Sequence, residues 1–135
     1  IHTMRHQGAA PSDSRGVDAM LTIRTRSSRR TLICCDGFWY FFPAPAERQR
    51  AAFVANLKFA ALKFREAGLK LLIEPINTID IPGFYLTRSR QALEIIEEVG
   101  SDNLFLQYDI YHMQVMEGDL ARTIEKNLSL IPHMQ

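Results

Sequence analysis

Glu74 and Asp109 each close a short apolar run, residues 69–73 and 103–108, and Gln135 follows what reads as the opening of a third such run at His133. If these runs are parallel strands, all three side chains stand at C-terminal strand ends, where the loops leave the sheet and the reactive groups of α/β folds collect. Two carboxylates and an amide oxygen converging on one mouth suit a hard divalent cation, Mg²⁺ or Mn²⁺, better than a thiolate-loving metal. Each carboxylate also has a plainer use, as an exposed loop acid or as the N-terminal cap of the next helix, and Gln135 as a solvated end. His112, three residues beyond Asp109, is by its position alone a loop histidine with a backbone partner. Asp80 follows Glu74 in a loop, and its place before Ile81-Pro82 suits a turn.

Positioning these groups requires strands and helices in alternation, and the second part of the chain provides them. Residues 46–67 read as a long helix, because Val54, Leu57, Ala61 and Phe64 recur at three- and four-residue steps, and Gly68 supplies a stop. Leu69, Leu71, Leu72 and Ile73 form a buried strand that Pro75 cannot extend. A loop over 76–86 leads to a helix over 87–99, with Thr87 or Ser89 as the cap and Gly100 as the end. The unit repeats: a strand over 103–108, a loop carrying His112 and Gly118, and a helix marked by Leu120, Ile124, Leu128 and Ile131, which Pro132 stops. Glu117 and Asp119 read as structural, near the start of that helix, where negative charge is favoured. Such alternation implies a parallel sheet with right-handed crossovers.

Residues 1–44 differ in character. Gly8, Pro11, Ser12, Asp13, Ser14 and Gly16 mark a loop, residues 19–25 and 31–35 are short strand candidates, and residues 38–42 are a dense aromatic run that fits a buried strand or an exposed sticky patch. The expected organisation is therefore a divergent, loop-rich segment over 1–44 followed by an α/β domain over 45–135.

Composition narrows the partners. With 16 basic and 15 acidic residues the net charge is +1, so no global field holds nucleic acid or an anionic membrane. The Arg24, Arg26, Arg29 and Arg30 cluster is interrupted by Ser27 and Ser28 and reads as a solvated stretch. The two cysteines, Cys34 and Cys35, are adjacent and give no disulfide framework, which points to a reducing, cytoplasmic setting. Asp36, Gly37, Pro43 and Pro45 break up the longest uncharged stretch, and no signal-peptide pattern opens the chain, so no membrane association is expected.

The wording around the candidate ligands is more specific than their positions. The run over 71–78 (Leu-Leu-Ile-Glu-Pro-Ile-Asn-Thr), the loop Asp80-Ile81-Pro82-Gly83-Phe84-Tyr85, the stretch from Val99 through Met113-Gln114, and Met116-Glu117-Gly118-Asp119-Leu120 through His133-Met134-Gln135 together resemble hydroxypyruvate isomerases. With the helix over 47–68, the resemblance covers roughly residues 45–135. It implies a xylose isomerase-like (β/α)₈ TIM barrel, present in part, with about three of eight strands recognisable; a whole barrel needs roughly 250 residues.

The resemblance further implies that Glu74, Asp109 and Gln135 are three of four metal ligands and that Glu74 shares in proton transfer. His112 matches a position that reaches toward the substrate oxygens, where a neutral imidazole donates to a developing enediolate. Asp80 matches a position where related sugar epimerases place an acid near the substrate. The implied reaction interconverts hydroxypyruvate and tartronate semialdehyde through a metal-stabilised enediolate. A ketose epimerase acting on a longer sugar is the enzymatic alternative, and a non-catalytic remnant of the barrel is the other. The fourth ligand, a second glutamate that the resemblance places on the last barrel strand, has no counterpart up to Gln135, nor has the family's Gly-rich segment that follows the third strand and carries an Arg near the substrate. The 135-residue chain is accordingly expected to be a truncated fragment that holds, in Glu74, one of the family's two proton-transferring glutamates, and its unpaired strand edges invite self-association.

Overall fold

The computed structural model describes residues 45–135 in full, together with the backbone of three earlier segments, 2–4, 21–25 and 31–35. The elements are β1 (His2–Met4), β2 (Leu21–Thr25), β3 (Thr31–Cys35), α1 (Ala46–Glu66), β4 (Lys70–Ile73), α2 (Ser89–Val99), β5 (Leu104–Tyr108), α3 (Ile110–Met116), α4 (Leu120–Asn127) and β6 (His133–Met134). The strands form one sheet in chain order. β1, β2 and β3 pair antiparallel, and β3 through β6 run parallel. Helices connect each parallel pair, the βαβ arrangement that crossover connections require. β2 and β3 fall in the two stretches expected to be strands, whereas the 38–42 aromatic run, the arginine cluster and the cysteine side chains lie outside the described residues.

α1 forms where its apolar stripe predicts. Phe53, Val54, Leu57, Ala60, Ala61 and Phe64 are buried along one face, and full burial of a side chain such as Leu57 contributes roughly 1.5–3 kcal/mol. Its end is a Schellman motif: the Leu69 N–H bonds the Phe64 carbonyl at 2.8 Å, the Gly68 N–H bonds Arg65 at 2.9 Å, and Gly68 takes φ +67°. The Asn103 amide then ties this corner to the sheet, donating to the carbonyls of Leu69 (2.8 Å) and Ala61 (3.3 Å).

The core lies between the helices and one face of β4 and β5. Leu71 and Ile73, with Leu104, Leu106 and Tyr108, belong to the same buried cluster as α1 and the α2 residues Ala92, Ile95, Ile96 and Val99. Strand alternation puts Leu72, Phe105 and Gln107 on the opposite face. Continuing that face past the strand ends brings Glu74 and Asp109 onto it as well.

Three local expectations change. The 109–118 stretch is not a loop: residues 110–116 form α3, because the Asp109 side chain accepts the His112 N–H at 3.1 Å and so starts a helix. α2 begins at Ser89, and neither Thr87 nor Ser89 caps it with a side chain. Instead the Thr87 N–H bonds Gln91 Oε1 at 3.1 Å and the Ser89 N–H bonds Glu117 Oε2 at 3.3 Å. Side chains reaching back from within the first turn and across from the end of α3 thus satisfy amides that a helix start leaves open. The last helix stops being α-helical at Asn127 and tightens into a 3₁₀ turn over Leu128–Leu130, which leaves Leu128 exposed while Ile131 is buried. Among the described residues no helix is long and apolar enough to cross a membrane.

Candidate functional site

Two sharp chain reversals build the site. β4 ends at Ile73 and β5 at Tyr108, so Glu74 and Asp109 leave the sheet at neighbouring strand ends, and both are buried. α3 begins at once after Asp109, and one helical turn returns His112 over the same mouth. Glu74, Asp109 and His112 each offer a ligand atom, and those atoms lie within 4.8 Å of one another. A divalent ion with bonds of about 2.0–2.1 Å needs ligand atoms roughly 2.9–4.2 Å apart. Two buried carboxylates at this spacing therefore fit a small hard cation after slight side-chain adjustment.

Gln135 reaches the same edge. Its N–H bonds the Tyr108 carbonyl at 3.1 Å, and its carbonyl accepts the Ile110 N–H at 2.8 Å, so β6 runs alongside the strand end that carries Asp109. The Gln135 Oε1 accepts from Gln107 Nε2 at 3.2 Å. Gln107 lies two residues before Asp109 on the same face and is buried. It went unnoticed in the sequence, although the period-two spacing from Asp109 marks it.

His112 is held from behind by the β4–α2 loop. The backbone N–H of Asn77 and its side-chain amide both approach His112 Nδ1, at 3.4 and 2.7 Å. On the other side of the ring, Nε2 lies 3.9 Å from Asp109 Oδ2, too far for a hydrogen bond. Asn77 is fully buried, and its Oδ1 accepts the N–H groups of Ile79 (3.0 Å) and Asp80 (2.8 Å) in an Asx turn.

Asp80 is one hydrogen bond removed from the histidine. Its Oδ2 accepts from Asn77 Nδ2 and from the Tyr111 hydroxyl, each at 2.8 Å. The Asn77 hydrogen bond first, and the Tyr111 one second, hold the Asp80 carboxyl below the usual carboxylate range. Donation to Asp80, together with its charge, holds the Tyr111 phenol above its usual value. Asn77 and Tyr111, like Gln107, are not among the site residues expected from the sequence. The Asn-x-x-Asp spacing just after a strand was the available signal for the first; only the position of α3 reveals the second.

With this geometry in view, residues 22–135 match the sequence profile of the xylose isomerase-like TIM barrel. The chain belongs to that family. Over 90 residues it is 51% identical to a hydroxypyruvate isomerase of Escherichia coli K12, covering 67% of this chain and 35% of that protein. Over 95 residues it is 44% identical to a 2-oxo-tetronate isomerase of Cupriavidus necator, covering 69% and 36%. A crystal structure described as an AP endonuclease, family 2, from Brucella melitensis superimposes with a TM-score of 0.73 at 33% identity, over 78% of this chain and 40% of that one. The partial α/β barrel and the likeness to hydroxypyruvate isomerases expected from the sequence thus hold. The chain spans about a third of the length of the two isomerases.

Proposed function

We propose that this chain carries the metal-site half of an isomerase that interconverts hydroxypyruvate and 2-hydroxy-3-oxopropanoate. One observation carries the reading: Glu74, Asp109 and His112 converge at adjacent strand ends in a chain 51% identical over 90 residues to a hydroxypyruvate isomerase. Glu74, Asp109 and Gln135 would hold a divalent ion, Mg²⁺ or Mn²⁺. When bound, that ion would supply positive charge that stabilises the negative charge developing on the substrate oxygens.

The reaction moves a carbonyl by one carbon. A proton leaves the hydroxymethyl carbon, an equivalent proton arrives at the adjacent carbon, and the hydroxyl proton passes from one oxygen to the other, so no electrons enter or leave. Glu74 is the residue assigned to the carbon-bound proton. It lies buried at the strand end beside Asp109, facing the mouth where the substrate would sit. His112 faces the same mouth and is assigned to a substrate oxygen, where a donor stabilises charge developing in the enediolate. Asp80, already committed to Asn77 and Tyr111, serves the site by holding those partners.

Titration of the purified chain with Mn²⁺, paired with assays on hydroxypyruvate and on ketohexoses, tests this proposal beside a Glu74→Gln variant. The expected result is saturable Mn²⁺ binding that Glu74→Gln abolishes, with any hydroxypyruvate turnover falling about 10²- to 10⁴-fold in the variant. Turnover confined to ketohexoses, or Mn²⁺ binding indifferent to Glu74→Gln, would overturn it.

A further inference from the structure

His112 has two ring nitrogens, and the groups packed against them decide which one carries the proton. Asn77 packs behind the ring. Its Oδ1 lies 3.0 and 2.8 Å from the backbone nitrogens of Ile79 and Asp80. Backbone N–H groups only donate, so the side-chain atom facing them must be the carbonyl oxygen, and the amide orientation is settled by its partners. The other side-chain atom is therefore the NH₂ group, which also only donates. It has two hydrogens and two acceptors within reach, Asp80 Oδ2 at 2.8 Å and His112 Nδ1 at 2.7 Å.

His112 Nδ1 therefore faces a donor, and a second, weaker donor is the Asn77 backbone N–H at 3.4 Å, which no amide flip can alter. A nitrogen facing two donors must present its lone pair. In the neutral ring the proton then sits on Nε2, the nitrogen that faces Asp109 and the mouth of the site.

We propose that Asn77 is a positioning residue that locks neutral His112 as its Nε2–H tautomer, making the imidazole a hydrogen-bond donor into the site and keeping it out of the coordination shell of any metal held there. The exclusion follows from the same proton. A histidine that ligates through Nε2 needs its lone pair there and ordinarily donates Nδ1–H to a carboxylate or carbonyl. Here the acceptor behind the ring is replaced by an amide donor. Although His112 stands within ligand distance of Glu74 and Asp109, its wiring assigns it to an oxygen acceptor, such as a substrate hydroxyl or carbonyl oxygen. Asp80 has a part in this device: by taking the other Asn77 N–H, with Tyr111 steadying it, it keeps the amide from rotating. The link to substrate rests on the isomerase reading, whereas the tautomer does not.

The test is long-range ¹H–¹⁵N correlation spectroscopy of the ¹⁵N-histidine-labelled 135-residue chain at about pH 8, where an ordinary imidazole is neutral. A His112→Gln sample assigns the resonances. The expected pattern is Nε2–H with an unprotonated Nδ1, unchanged on adding diamagnetic Mg²⁺. Asn77→Asp combined with Asp80→Asn keeps an oxygen for the Asx turn and an amide beside it, but turns an acceptor toward Nδ1. In that double variant the proton is expected to move to Nδ1, with the tautomer ratio changing at least tenfold. An Nδ1–H pattern in the parent, or loss of the Nε2 proton when Mg²⁺ binds, would refute the inference. So would an unchanged tautomer in a folded double variant. The parent spectrum decides the matter even if the double variant fails to fold. An Nε2–H tautomer in a chain whose Mn²⁺ binding is indifferent to Glu74→Gln would count against the proposed metal site and leave the positioning role of Asn77 intact.

Discussion

Asp109 caps α3 and, in the proposed site, would also hold the metal, and conservative replacement separates the two roles. Its Oδ1 accepts the His112 N–H at 3.1 Å and starts α3, while the group also lies within 4.8 Å of ligand atoms on Glu74 and His112. Asn caps a helix as well as Asp does, whereas Ala forfeits about 1 kcal/mol. That loss corresponds to roughly 3–6 °C in Tm for a chain of this size. Without metal, Asp109→Asn should therefore melt within a degree or two of the parent, or above it, since one of two neighbouring buried negative charges is gone. Metal binding should respond in the opposite way. Losing an outer-shell partner of a ligand commonly costs 10- to 100-fold in affinity, so neutralising a ligand should cost at least about 10²-fold. At a Mn²⁺ concentration 100 times the parent Kd, the parent gains about 2.7 kcal/mol from binding, and a 100-fold weaker variant gains only about 0.4 kcal/mol. Urea melts with and without Mn²⁺, with calorimetric titration for Kd, measure both quantities. Retention of the full metal-induced gain by Asp109→Asn would refute the ligand role, and a metal-free destabilisation as large as that of Asp109→Ala would refute the cap.

Other perturbations probe the frame around the site. Leu57 is fully buried in the middle of α1, so Leu57→Ala should lower the unfolding free energy by about 2–5 kcal/mol in urea titrations. Gly100 ends α2 with φ +66°, and an added Cβ would meet only the Glu97 carbonyl oxygen at an ordinary 3.8 Å; Gly100→Ala should therefore cost about 1 kcal/mol, from backbone strain alone, read as a lower urea midpoint. Tyr111→Phe removes one of the two hydrogen bonds that depress Asp80, so carboxyl NMR titration should show its pKa rising toward 3.8. Because the folded value lies below the unfolded one, the stabilisation from Asp80 is present above about pH 3.8 and is lost as pH falls through the lowered value. The variant should narrow that acidic window, and an unmoved Asp80 titration would show that the Tyr111 contact is idle.

What the amino-acid order determined by itself is the family and the alternation of α1, β4, α2 and β5. The α1 stripe from Phe53 to Phe64, the apolar runs of β4 and β5, and the stops at Gly68 and Gly100 are local signals, set by side-chain periodicity and backbone φ preferences that act within a few residues. Glu74 and Asp109 were legible as strand-end acids for the same reason. Tertiary structure decided what no local period carries. α3 escaped notice because it is a seven-residue helix with a single buried side chain, Met113, so almost no apolar stripe announces it, and its start depends on the Asp109 cap. The α2 start likewise depends on Glu117, 28 residues away, which no propensity at Thr87 or Ser89 could reveal. The histidine at the site shows the division most plainly. Its presence three residues after Asp109 is written in the sequence, but the direction of its proton is set by Asn77, 35 residues earlier. Hydrogen-bond polarity depends on which donors and acceptors the fold brings face to face, and only the packing of the β4–α2 loop against α3 brings these two together.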